Sequence, residues 1–183
     1  MNRDALRRAY ALKHTDRAGW LRVRDGSVES VAAHSWGMAL LALTRCPASL
    51  DRLAVLELCL VHDLPEALVG DITPHDGVEK AEKHRREAEA ALELFADSPA
   101  LLRRWHEYAD QQTAEARWVR QLDKLDMALQ AEQYATDGAA TEEFLRSARP
   151  AILDPDLLEL FPEASERTPR GHASPTGSAP SDR

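Results

Sequence analysis

The sequence is poor in the residues that build β-sheet and in the segments that carry a chain into or across a membrane. Aromatics make up 5% of its 183 residues. β-Branched side chains are scarce beside Ala, Leu, Glu and Arg, and strand-like alternation is missing. No run of 18 apolar residues occurs, which excludes a helical membrane span. Residues 1–20 are studded with Arg, Asp and Lys and hold no apolar core of the kind a secretory leader needs, so none is expected. Cysteine is limited to Cys46 and Cys59, which form no CxxC and no disulfide framework. That usage fits a reducing, cytoplasmic interior and two small buried hydrophobes. Basic charge is in deficit, with 23 Lys and Arg against 31 Asp and Glu and a net charge of −8. Neither a nucleic-acid polymer nor a membrane is an expected partner of such a chain. A small anion held by a metal or a few local cations is still compatible with it.

What is present is a succession of helix formers. The length predicts one domain, with a folded body over residues 1–161. The remaining residues, 162–183, hold four prolines in Ser-, Thr-, Gly- and Ala-rich sequence and read as a disordered tail, because burial there cannot offset the entropy of ordering. Within the body a first helix is expected over residues 3–13, followed by a loop over 15–28. Ser30 is placed to cap a second helix carrying Val31, His34, Met38 and Leu41 at three- and four-residue spacing. Residues 50–64 predict a mostly apolar, central third helix, ended by Pro65, with a short turn over 65–69 closed by Gly70. Further helices are expected over 78–96, 101–109, 115–134, 141–148 and 156–161. In the 115–134 helix, Trp118, Leu122, Leu125 and Leu129 form the buried stripe, and Trp36, Trp105 and Trp118 read as core aromatics. The expected fold class is all-α.

The most informative stretch is Val61-His62-Asp63-Leu64-Pro65-Glu66, at the end of the most apolar helix. Asp is rarely buried unless paired or metal-bound. Adjacent His and Asp project about 100° apart from a helix and can bracket one cation, with Glu66 nearby. On these residues alone, a capping Asp beside a hydrogen-bonded His is the plainer account of the dipeptide. His34 lies on an otherwise small and apolar helix and reads either as a core histidine or as a third ligand. Asp123 falls outside its helix's Leu stripe, beside Asp126 and Gln130, and reads either as solvated or as a fourth ligand. Together, two imidazoles and two carboxylates suit one divalent transition metal such as Mn, Co, Fe, Ni or Zn.

Longer segments carry a family resemblance. Asp16-Arg17-Ala18-Gly19-Trp20, Glu29-Ser30-Val31-Ala32-Ala33-His34, His62-Asp63-Leu64-Pro65-Glu66, Val69-Gly70-Asp71-Ile72-Thr73-Pro74, Glu82-Lys83-His84-Arg85-Arg86-Glu87 and Gln121-Leu122-Asp123 resemble the HD-domain metal-dependent phosphohydrolases, and among them the 5′-deoxynucleotidases. The similarity runs over residues 12–134. It implies a single HD-domain helical bundle in which His34, His62, Asp63 and Asp123 hold the metal and Glu66 is the catalytic carboxylate. It further implies that Arg17 orients the phosphate and takes part in catalysis, while Asp71, Ile72, Thr73 and Pro74 form a substrate-contacting turn. Trp20 is the matching aromatic beside the sugar, although here Ala18-Gly19 stand between it and Arg17.

The implied reaction is hydrolysis of a 2′-deoxynucleoside 5′-monophosphate by a homodimer, with the Leu-rich 151–161 segment a candidate face for the second copy. Two alternatives are an HD phosphohydrolase acting on another nucleotide or small phosphate ester, and a silent nucleotide-binding or helical interaction module. Lys80, His84 and Arg85 read as a solvated basic face, and His14, His75, His106 and His172 carry no assigned role.

Overall fold

Side-chain caps set where the principal helices begin. Asn2 accepts the Ala5 N–H to start α1 (Arg3–Ala9), and Ser30 accepts the Ala33 N–H to start α2 (Val31–Arg45). Asp51 accepts from Leu53 and Ala54 at the head of α3 (Arg52–Val61), and Thr113 accepts from Ala116 at the head of α7 (Ala114–Thr136). Between these lie α4 (Glu66–Val69), α5 (Lys80–Leu94) and α6 (Pro99–Ala109), with Pro99 in the first turn of α6. The short helices α8 (Glu142–Ala148) and α9 (Pro155–Leu158) close the body. The computed structural model describes residues 1–162, so the expected tail beyond Pro162 lies outside the described residues. Among the described residues there is no strand. One isolated bridge pairs Asp16 with Ser30 and lays the loop carrying Arg17 along the start of α2. The Arg17 N–H donates to the Glu29 carbonyl at 3.0 Å and the Val31 N–H to that of Thr15 at 2.8 Å.

The main core is where α2, α3 and α7 meet, filled by Met38, Ala42, Val55, Leu58, Cys59, Val119, Leu122 and Leu125. A second cluster packs Phe95 and Trp105 against Val61 and Leu94. A third joins Trp20, Ala131 and Tyr134 with Phe144 and Met127 at its edge. The third helix is shorter than the expected 50–64, ending at Val61 with Pro65 standing instead at the head of α4, and Gly70, at φ 78°, turns the chain out of α4 in a conformation that strains any side chain with a Cβ.

Several expectations are corrected. The first helix is α only to Ala9 and then tightens into a 3₁₀ turn over Tyr10–Lys13. The 15–28 loop contains a 3₁₀ turn, Trp20–Arg22. Trp36 is not a core aromatic: it is 67% exposed, because two residues beyond buried His34 is 200° around the helix. Trp105 and Trp118 are buried as expected. Leu129 is half-buried, and the inner face of α7 continues through Ala128 and Ala131 instead. The 151–161 segment is no long helix with a free apolar face. It packs Leu157, Leu158, Leu160 and Phe161 onto its own chain's main core and leaves Leu153 exposed. Cys59 is buried, whereas Cys46 is half-buried.

Leu122 sits fully buried where the three central helices meet. Leu122→Ala is expected to lower unfolding free energy by about 2–5 kcal/mol, read as a shift of the urea midpoint.

Candidate metal centre and substrate cavity

Three helices bring the candidate ligands together. His34, one turn beyond the Ser30 cap, points into the bundle and is 0% exposed. His62 and Asp63 leave the C-terminal end of α3, and Asp123 reaches in from the middle of α7. Asp63 Oδ2 lies 3.0 Å from His62 Nε2 and 3.9 Å from His34 Nε2, and Asp123 Oδ1 lies 3.4 Å from His34 Nε2. Donor atoms of His34, His62 and Asp63 lie within 4.8 Å of one another, the spacing of ligands around a common centre, and Asp123 approaches that group from the His34 side. The solvated reading of Asp123 is set aside, since its side chain is 13% exposed.

The remaining imidazole nitrogens define which tautomers face the centre. His62 Nδ1 lies 3.0 Å from the Cys59 carbonyl, which can only accept, so Nδ1 carries the hydrogen. His34 Nδ1 lies 2.6 Å from Asp126 Oδ2 and donates to it. In the neutral rings it is then Nε2 that carries the lone pair, and both Nε2 atoms are buried without a hydrogen-bond partner, as is Glu66 Oε2. Orphaned nitrogen lone pairs facing carboxylates are what a divalent cation satisfies, so this donor set fits one.

The Asp126 contact depends on Gly37. A Cβ at residue 37 would fall on the Asp126 carboxylate, with Cγ only 3.0 Å away. The absent side chain leaves the room through which α7 reaches His34.

Electrostatics divide the carboxyl groups. Burial acts to raise Asp63, but His62, His34 and Arg17 outweigh it and hold Asp63 well below the usual range. Asp123 is held low in the same way, with Lys124, His34 and Arg17 overcoming burial. Burial also opposes the charged form of His34, as does Arg17, yet Asp123 and Asp126 push it up to about 9. Glu66 goes the other way: burial, then Asp63 and Asp71, drive its carboxyl well above the ordinary value.

These groups open onto a cavity of about 420 Å³, within the size range of small-molecule sites. Arg17 lines it, 3.6 Å from Asp63 and 3.9 Å from Glu29. Asp71 accepts the Ala18 N–H at 2.8 Å, tying the Arg17 loop to the turn after α4. Ile72, Thr73 and Pro74 form part of the wall, with Thr73 heading a capped 3₁₀ turn over Pro74–Asp76. Trp20 stands at the edge, 1% exposed, its indole N–H donated to Glu29 at 2.7 Å.

Of the basic run on α5, Arg85 is exposed and paired with Glu82 and Glu89, and His84 stacks on Trp105. Lys83 is the residue of that run that reaches the cavity. It donates to the Ile72 carbonyl at 2.6 Å and lies 4.0 Å from Glu66.

Nothing in the local spacing of the Glu82–Glu87 motif marks Lys83 as the residue that faces the cavity. Asp126 shares with Asp123 a face that local sequence leaves open to solvent, and neither Gly37 nor Phe144 carries a local signal of its place. The i, i+3 relation of Asp123 and Asp126 was the available signal for the second carboxylate.

The fold is all-helical with a buried His/Asp group that could hold a metal ion, and the chain belongs to the HD domain family, which residues 9–163 match. Its similarities narrow the class further. It is 37% identical over 167 residues, covering 87% of this chain and 84% of the relative, to the protein named 5′-deoxynucleotidase HDDC2 in Danio rerio. It is 36% identical over 166 residues, covering 86% and 81%, to the protein of that name in Homo sapiens. Among solved structures it is similar to a conserved hypothetical protein from Pyrococcus furiosus, with a TM-score of 0.72 and 29% identity over 86% of this chain and 95% of that one.

Gly37→Ala is expected to displace the Asp126 carboxylate and free the His34 ring to rotate. Its affinity for Mn or Co, measured by titration calorimetry, should fall about 10–100-fold while the far-ultraviolet helical signal is unchanged.

Proposed function

We propose that this protein hydrolyses 2′-deoxynucleoside 5′-monophosphates to deoxynucleoside and phosphate. The observation that carries the reading is the buried pair of unpartnered Nε2 atoms, His34 beside Asp63 and Asp123 and His62 beside Asp63, with both carboxylates lining a cavity that also holds Arg17 and Lys83. The activity named for the relatives points the same way. His34, His62, Asp63 and Asp123 hold one divalent ion, with Mn, Co, Fe, Ni and Zn all compatible with the donor set. When bound, such an ion supplies Lewis acidity toward phosphate oxygens and makes water a better nucleophile near neutral pH.

The chain's own residues do the rest. Arg17 offers a planar fork to two phosphate oxygens, and its neighbouring carboxylates keep it charged. Lys83 adds a second positive group at the same end of the cavity and braces the Ile72 wall. Asp71 holds the Arg17 loop and the Ile72-Thr73-Pro74 turn in register. In the reaction a bond forms from water oxygen to phosphorus, the bond from phosphorus to the 5′-oxygen breaks, and one proton passes from the water to that oxygen. Glu66, buried and with Oε2 free, is the group that takes up or delivers this proton.

Sugar selection belongs to the Trp20 side of the cavity. Trp20 contributes bulk, and with its N–H already given to Glu29 it has no donor left for a 2′-hydroxyl. The reading places the enzyme in the cytoplasm, in keeping with its free cysteines and with the absence, among the described residues, of a helix long and apolar enough to cross a membrane. A homodimer is proposed through the outer face of α2, where Trp36, Leu40 and Leu43 are exposed at helical spacing.

Phosphate release from dAMP by EDTA-stripped protein, with Mn, Co, Mg and Zn added back in turn, tests the activity. Stripped protein should be inactive, a transition ion should restore turnover, and AMP should be a poorer substrate than dAMP. His62→Ala and Asp63→Ala should lose metal binding and activity together, whereas Glu66→Ala should keep the metal and lose about 10²–10⁴ in kcat. No release under any metal overturns the reading. Sedimentation of Trp36→Glu should show a monomer where the wild type shows a dimer, and a wild-type monomer removes the pairing from the proposal.

A further inference from the structure

We infer that Phe144, on α8, is the surface on which the nucleobase of the substrate lies, with Met127 beside it; the inference rests on the nucleotide reading above. The cavity has two chemically different ends. Arg17, Lys83, Asp63 and Asp123 make one end charged and suited to phosphate and metal. Met127, one turn beyond Asp123 on the same side of α7, begins an apolar wall that Phe144 continues. A nucleotide with its phosphate at the charged end has its sugar and base left to meet this wall.

The aromatic ring available there belongs to Phe144. Trp20 also lines the cavity but is 1% exposed, and its ring packs 4.1 Å from that of Phe144 at 34°. Tyr134 abuts Trp20 edge-on at 5.2 Å, so Phe144 is backed by a stack of rings that fixes its plane. At the rim, Arg22 and Glu143 neutralise each other at 2.9 Å, leaving the wall without a net charge beside the ring. A half-buried, braced ring at the uncharged end of a nucleotide-sized cavity is a stacking platform for a heterocycle.

The test compares dAMP with 2-deoxyribose 5-phosphate, which keeps the phosphate and sugar but lacks the base. Phe144→Ala should raise KM for dAMP about tenfold with kcat within about twofold, and leave KM for 2-deoxyribose 5-phosphate unchanged. Phe144→Leu, which preserves volume, should also raise KM for dAMP, and Phe144→Trp should restore it. Equal effects on both substrates, or no change with dAMP, would overturn the assignment. If the wild type hydrolyses neither compound, the hydrolase reading has failed by itself. Calorimetric titration with 2′-deoxyadenosine then scores the seat: weaker binding to Phe144→Ala supports it, and equal binding or none to the wild type overturns it.

Discussion

Two imidazoles inside a protein core normally find partners for both ring nitrogens, and in this chain each finds only one. His34 gives its Nδ1 hydrogen to Asp126 and His62 gives its own to the Cys59 carbonyl, so both rings turn Nε2 inward, that of His34 toward Asp63 and Asp123 and that of His62 toward Asp63. This orientation is the constraint on which the site depends. It requires α2, α3 and α7 to pack together around the end of α3, and it requires a glycine on α2 where the Asp126 carboxylate of α7 comes in. The apolar packing of those helices and the geometry of the centre are therefore one problem, because a shift of α7 moves Asp123 and Asp126 together.

An acidic chain that handles an anion has to concentrate its cations, and this one does so by burial and clamping. Arg17 is fixed between Asp63 and Glu29, and Glu29 is itself held by the Trp20 indole, while the Glu29 backbone N–H donates to the Tyr134 hydroxyl. Lys83 is drawn in by Glu87, Glu66 and the Ile72 carbonyl. The overall charge of −8 says little about the cavity, because closely spaced local charges in a poorly solvated cleft set the field that a small ligand meets.

Much of the fold was legible beforehand. Ser30 gave the start of α2, the Leu stripe gave the buried side of α7, and Pro65 with Gly70 bracketed the short α4. Periodicity was less informative where apolar residues surround a helix: α2 carries Leu and Trp on its outer face as well as Met38 and Ala42 inside, so Trp36 was assigned to the wrong side. The 151–161 segment misled for a related reason. Its leucines are apolar enough for an interface, but they are consumed by the core of their own chain.

The order of chemical types along the chain, and the side each took on its helix, were set by local sequence: His34 inward from a capped start, His62 and Asp63 at a helix end, and an acidic pair one turn apart on α7. Those features follow from spacing and capping, which act over a few residues. Distances between helices do not. That Asp126 meets His34 across 92 positions, that Gly37 makes way for it, that Lys83 and not its neighbours on α5 faces the cavity, and that Phe144 overlies Trp20 were decided only when the helices packed. Long-range contact is a property of how whole surfaces fit, and no short window of sequence contains it.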